Sequence, residues 1–132
     1  MKYFEAVYKE LENLFIEKLP DYIEKTNKEH NDGIILKPFE NTKLEENCIN
    51  LPCFKFTFEQ AECGEKDRII ENTVYEISVE IKLHPTTEKQ TIVFFRYVEA
   101  IQKMIDDSET SNIYEINRIK GSKIYIRITL FR

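Results

Sequence analysis

The stretch that decides the fold is IIENTVYEISVEIKL, residues 69–83. From Tyr75 onward a large apolar residue stands at every second position, Tyr75, Ile77, Val79, Ile81 and Leu83, with Glu76, Ser78, Glu80 and Lys82 between them. A period of two belongs to a β-strand, whose side chains alternate between faces, so the segment reads as one long strand with a dry face. Upstream, CFKFTFEQAE (53–62) repeats the pattern, with Phe54, Phe56 and Phe58 on one face and Lys55, Thr57 and Glu59 on the other. The polar stretch CGEKD (63–67) between them predicts an antiparallel hairpin. Strands usually run five or six residues. The pair is therefore expected to extend past its sheet, its far end covered by the first helix or by a neighbouring subunit.

Working outward, Val7, Leu11, Leu14, Phe15, Leu19, Tyr22 and Ile23 recur at three- and four-residue steps, the stripe of an amphipathic helix. Pro20 predicts a kink or restart, with PDYIEKTNKEH as the second part, and Asn31-Asp32-Gly33 predicts the stop. IILK (34–37) reads as a short strand and PFENTKLEENCIN (38–50) as a loop. After HPTTEKQ, Phe94, Tyr97, Val98, Ile101, Met104 and Ile105 form a second helical stripe, with Thr87 and Gln90 resembling a capping box. The run TIVFF (91–95) alone would suit a strand. Its continuity with the stripe assigns it to the helix.

Two last strands, 113–120 and 123–131, are joined at Gly121-Ser122, a favoured two-residue turn. Strict pairing about that turn would set Glu115 against Ile128 on the dry face, which a bulge near Asn117 would repair. The expectation is a single α+β domain over 1–132: a largely antiparallel sheet with a long β-hairpin and two helices packed on one face. At its centre, Phe54, Phe56, Val79 and Ile81 should meet Leu11, Leu14, Val98 and Ile101.

A formal net charge of -5 and a pI near 5.2 argue against a general nucleic-acid coat, which needs clustered cationic charge. No apolar run is long enough to cross a bilayer, and MKYFEAVYKELENLF interleaves charges where a signal peptide would be apolar. A cytoplasmic protein without membrane contact is expected. Cys48, Cys53 and Cys63 form an odd set with no CxxC pair, which predicts free thiols and no structural disulfide.

Reactive constellations are thin. The three cysteines with His84 lack the spacing of a zinc site, and His84 and His30 read as solvated residues. Cys63 near Lys66 is a weak suggestion of an activated thiol. Glu45-Glu46 and Asp106-Asp107 fall in polar settings, and the glycines Gly33, Gly64 and Gly121 are isolated, so no phosphate-cradling loop forms. No catalytic residue, cofactor or metal is assigned, and no enzyme is expected. One cluster invites a function: Arg118, Lys120, Lys123, Tyr125 and Arg127 on the last hairpin form a possible basic patch for an acidic partner or nucleic acid, with Tyr125 as a stacking platform.

In LPCFKFTFEQAE, NTVYEISVEIKL and RYVEAIQKMI, and in the order of elements that carries them, the chain resembles the tail terminator, or tail-completion, proteins of long-tailed bacteriophages and prophages. It departs from them in the long insert from Pro38 to Asn50. The resemblance implies a non-enzymatic structural protein without cofactor, a ring of its own copies, typically a hexamer, that caps the tail tube and meets the head connector. Such a protein works in the bacterial cytoplasm or the virion, and DNA passes through the ring without specific recognition. The hairpin tip, Glu62, Glu65, Lys66 and Asp67, is then the expected interface. The alternative is a small cytoplasmic binding module that takes a peptide or nucleic acid through the basic C-terminal hairpin.

Overall fold

In the first helix the buried residues Val7, Leu11, Phe15, Leu19 and Ile23 recur every four positions. At 3.6 residues per turn a four-residue step overshoots by about 40° each time, so an ideal α-helix would wind this stripe off the core. The computed structural model shows how the chain avoids that. It describes residues 4–39, 52–66, 69–108 and 113–131, with backbone alone for residues 4, 61–66, 69–72, 130 and 131. Between α1 (Phe4–Asn13) and α2 (Leu19–His30) lies a π-helical stretch, Leu14–Lys18, in which the Leu19 N–H donates to the Leu14 carbonyl. The wider turn takes up the drift. It also accommodates Pro20, which has no N–H to return to the preceding turn and whose ring would crowd it. The predicted restart is thus present, as a widened turn.

Helix α2 stops where expected. Asn31 adopts a left-handed conformation (φ 41°), and its N–H donates to the Asn27 carbonyl at 3.2 Å. The predicted strand at IILK does not form. The Asn27 side chain instead satisfies both backbone groups of Leu36: Nδ2 donates to its carbonyl (3.0 Å), and its N–H donates to Oδ1 (2.8 Å). One amide side chain supplies the partners that a neighbouring strand would have given. Leu36 enters the core while Ile35 points outward. The predicted loop that follows falls mostly on residues 40–51, outside the described set.

The sheet has four antiparallel strands, β1 (Cys53–Lys66), β2 (Ile69–Lys82), β3 (Tyr114–Lys120) and β4 (Lys123–Phe131), in the order β1-β2-β4-β3. The hairpin therefore forms as read from the sequence. Its overhang is smaller than expected, because β4 accompanies β2 from Glu80 to Asn72 and leaves only Ile69 to Glu71 beyond it. The bulge predicted near Asn117 is present between Ile116 and Arg118, so that Tyr114 faces Ile128 and Glu115 faces Arg127. A second irregularity, between Phe58 and Gln60, interrupts β1.

The dry face carries Phe54, Phe56, Tyr75, Ile77, Val79, Ile81, Ile124, Ile126 and Ile128, all buried, and both helical layers pack on it. Leu11 and Ile101 are fully buried, whereas Leu14 and Val98 only flank the core. Phe15 meets Phe56 edge-on at 4.9 Å and Phe54 at 5.2 Å. Helix α3 (Gln90–Asp107) includes the TIVFF run, as expected. It lacks the predicted capping box. Its N-cap is Lys89, in a left-handed conformation (φ 53°) and without a side-chain cap, which leaves Thr87 outside the helix.

Helices α2 and α3 run antiparallel and are tied by polar rungs: Tyr22 to Asp107 (3.0 Å), Glu29 to Lys103, His30 to Glu99 (2.7 Å) and Asp32 to Arg96 (2.8 Å). One expectation fails outright, since Cys53 is disulfide-bonded and fully buried. Spacing along a chain does not reveal which thiols a fold brings within bonding range.

Candidate functional site

The strand order places two kinds of element end at opposite ends of the sheet. At one end the chain passes from β1 to β2; at the other lie the β3–β4 turn, the end of β2 and the start of α3. The Ile81 N–H donates to the Ser122 carbonyl at 2.9 Å and fastens that turn to β2.

The five residues of the predicted basic patch share one face of the β3–β4 hairpin. Arg118, Tyr125 and Arg127 lie on the sheet face away from the helices, where their charges are largely answered. The Arg118 guanidinium stacks 4.1 Å above the Tyr125 ring and approaches Glu76 at 3.5 Å, while Arg127 pairs with Glu115. Asn117, the bulge residue, donates to Glu76 at 3.2 Å, and Ser78 donates to Glu59 at 2.7 Å. Glu76 is thereby buried with partners rather than alone. Tyr125 is only 8% exposed, so it is packing beneath Arg118 and not the expected stacking platform. Lys120 and Lys123, opposite each other across the turn on that same face, form no ion pair among the described residues.

On the helix side of the sheet, by the same turn, opens a cleft of about 650 Å³, lined by Ile81, Leu83, Phe94, Phe95, Ile119 and the Gly121-Ser122 turn, with Lys82, Gln90 and Thr91 also lining it. Phe95 is 55% and Ile119 42% exposed, and Ile92, one turn before Phe95 on the same side of α3, is 44% exposed. Apolar surface therefore continues out of the cleft. Among the described residues, Lys82, Lys89, Lys120 and Lys123 form no ion pair with a carboxylate. The nearest acids along the chain and across the strands are Glu80, opposite Lys123, and Glu88, beside Lys89. Two smaller hollows lie elsewhere, one between α1 and the end of α3 and one around His84 and Tyr97.

The expected interface at the hairpin tip lies largely outside the described residues. The backbone of Glu62, Glu65 and Lys66 belongs to β1, but their side chains and all of Asp67 are not described. His30 is paired with Glu99, and the His84 Nδ1 accepts from the Thr86 N–H at 3.2 Å. Among the described residues no three of His, Cys, Asp and Glu gather as metal ligands, and no helix is long and apolar enough to cross a membrane.

The cleft was missed in the sequence although TIVFF held its signal. Five successive bulky residues exceed what one helical stripe can bury. Val93 and Phe94 turn inward, and Ile92 and Phe95 are the surplus that faces out. Compared with protein-family models, curated proteins and solved structures, the chain matches none.

Proposed function

We propose that the protein is a non-enzymatic assembly protein of the phage tail-terminator type, which joins its own copies into a ring at the end of a tail tube. The observation that supports this reading is Phe58. It belongs to the phenylalanine face of β1, yet on this edge strand it is 60% exposed, while Ile77 directly opposite it is fully buried. Its ring lies 6.4 Å from that of Tyr75, nearly parallel to it. From there the hairpin continues to Lys66 and Ile69. An uncovered aromatic on an edge strand is the kind of surface a neighbouring subunit buries. The order of helix, long hairpin, second helix and closing hairpin is also that implied by the resemblance.

The test is made in a host that carries the gene within a phage or prophage. Phe58→Glu alters an exposed residue, so folding should change by no more than about 0.5 kcal/mol. A charge buried unpaired at a subunit contact costs far more. Electron micrographs of lysates should show tubes of irregular length, unjoined to heads. Glu65→Lys with Asp67→Lys should give the same defect from the hairpin end. Normal tails from both variants contradict the reading.

A further inference from the structure

The outermost strands of the sheet, β1 and β3, each have an outer edge without a partner among the described residues. Each is exposed over a four-residue stretch, 57–60 on β1 and 117–120 on β3. Each stretch contains a large exposed apolar side chain, Phe58 at 60% and Ile119 at 42%. Each also holds an extra residue without an opposite number on the inner strand, Glu59 and Asn117. We propose that the edge of β1 in one copy pairs with the edge of β3 in the next, in the register that sets Phe58 against Ile119 and Glu59 against Arg118. This contact presupposes copies joined head to tail, as in the ring, and it is the joint between them.

Every neighbouring pair in the order β1-β2-β4-β3 is antiparallel, so β1 and β3 run in opposite directions. Copies that keep one orientation around a ring therefore bring them together as an antiparallel pair, whose backbone hydrogen bonds supply affinity. The side-chain faces select the register. On β1, Thr57 lies opposite Ser78, Phe58 opposite Ile77 and Gln60 opposite Glu76, while Glu59 accepts from Ser78 at 2.7 Å. Residues 57 to 60 thus point to the outer, helix, outer and outer faces. On β3, Lys120 lies opposite Lys123, Ile119 opposite Ile124 and Arg118 opposite Tyr125, while Asn117 donates to Glu76 at 3.2 Å. Read from 120 back to 117, the faces follow the same series. A bulge on an edge strand turns away a regular partner, whose side chains alternate without a doublet. Here the two doublets answer each other, and the pairs 57 with 120, 58 with 119, 59 with 118 and 60 with 117 each share a face. A shift of one or two residues in either direction sets Phe58 or Ile119 against a side chain of the other face.

The chemistry agrees with that register. Phe58 and Ile119 cover each other on the helix side, and opposite charges meet at Glu59 and Arg118. The doublets of two β1 strands would also match, but Glu59 would then face Gln60 of the second copy and gain no cation. Within one sheet Ile119 is level with Ile124, Val79 and Phe56. Each joint therefore offsets the next copy by one two-residue step, a stagger of the kind that tilts strands when a sheet closes on itself.

The test uses the full chain with p-benzoylphenylalanine at position 58, where an exposed ring already stands. It is illuminated as the concentrated purified chain and within tails purified from the phage host, and the cross-links are mapped by mass spectrometry. The expected link joins position 58 to residues 118–120 of a second copy. Thr57→Lys sets a cation opposite Lys120 and should lower the yield of that link by about fivefold or more. Adding Lys120→Glu should restore it to within about twofold. Thr57 and Lys120 are both exposed, and unchanged far-ultraviolet dichroism qualifies each variant for the comparison. A link from position 58 to β1 of a second copy overturns the pairing, as do a link to a different protein, the absence of any link between copies in both samples, and a double variant that stays as weak as Thr57→Lys. The expected link in solution, from a chain absent from tails, keeps the pairing and retires the tail reading. Tails that contain the chain linked elsewhere do the reverse.

Discussion

Phe56 shows how much one residue carries. It is 3% exposed, edge-on to Phe15 at 4.9 Å and to Tyr8 at 5.8 Å, and paired across the strand with Val79. Phe56→Ala removes a ring from between the first helix and the sheet, and burial of that kind is worth about 3 to 5 kcal/mol. Urea unfolding checks the figure; a loss below about 1 kcal/mol would mean that the face is open rather than core. At Lys89 the sign reverses. A left-handed backbone costs an L-residue about 1 to 2 kcal/mol, part of which glycine gives back as chain entropy. Lys89→Gly is thus expected to raise stability by up to about 1 kcal/mol, read as a higher urea midpoint.

Among the elements, the α2–α3 pair has a pH signature. The Arg96 guanidinium, bonded to Asp32, holds that carboxyl well below its ordinary value of 3.8. Glu99 is likewise lowered, first by its hydrogen bond from His30 and then by Lys103. A carboxylate whose folded pKa is depressed stabilises fully above its unfolded pKa, and its contribution is lost as pH falls through the window below it. For Asp32 that window opens near pH 4 and extends downward. The difference in urea midpoint between the wild type and Arg96→Gln should therefore be constant above about pH 5 and should narrow below about pH 4. A difference that is flat through the acid range would show that Arg96 acts by packing alone.

Elements also differ in how plainly the sequence declares them. The alternation from Tyr75 to Leu83 is a local pattern with a single reading, and it located the central strand. The bulge at Asn117 was legible because regular pairing would have buried Glu115 opposite Ile128, a conflict that only a shift of register removes. IILK misled because its backbone is satisfied by Asn27, nine residues earlier than Leu36 and on a helix, a contact that no short-range pattern announces. The π stretch was present in the spacing of Val7, Leu11, Phe15, Leu19 and Ile23. Pro20 drew attention to a break at that point while the four-residue rhythm explained its form. The buried disulfide at Cys53 depends on tertiary approach and left no trace in the spacing of the cysteines.

At the scale of the molecule, the two ends of the sheet are unlike. Toward one end the edge strand β1 exposes Phe58; at the other lies an apolar cleft between α3 and the β3–β4 turn. A subunit with two different contact surfaces associates head to tail, and such contacts close into rings when the rotation between copies allows it. That asymmetry was not legible from residue types, because the cleft is made of Ile81, Phe95 and Ile119, which three separate elements bring together. The measurement that tests the assembly account most directly is the number of copies of this chain per purified tail, counted with isotope-labelled reference peptides. The account predicts a single ring's worth, a hexamer, at one end of each tail. Tails that contain no copies, or that carry it in proportion to their length, would contradict it.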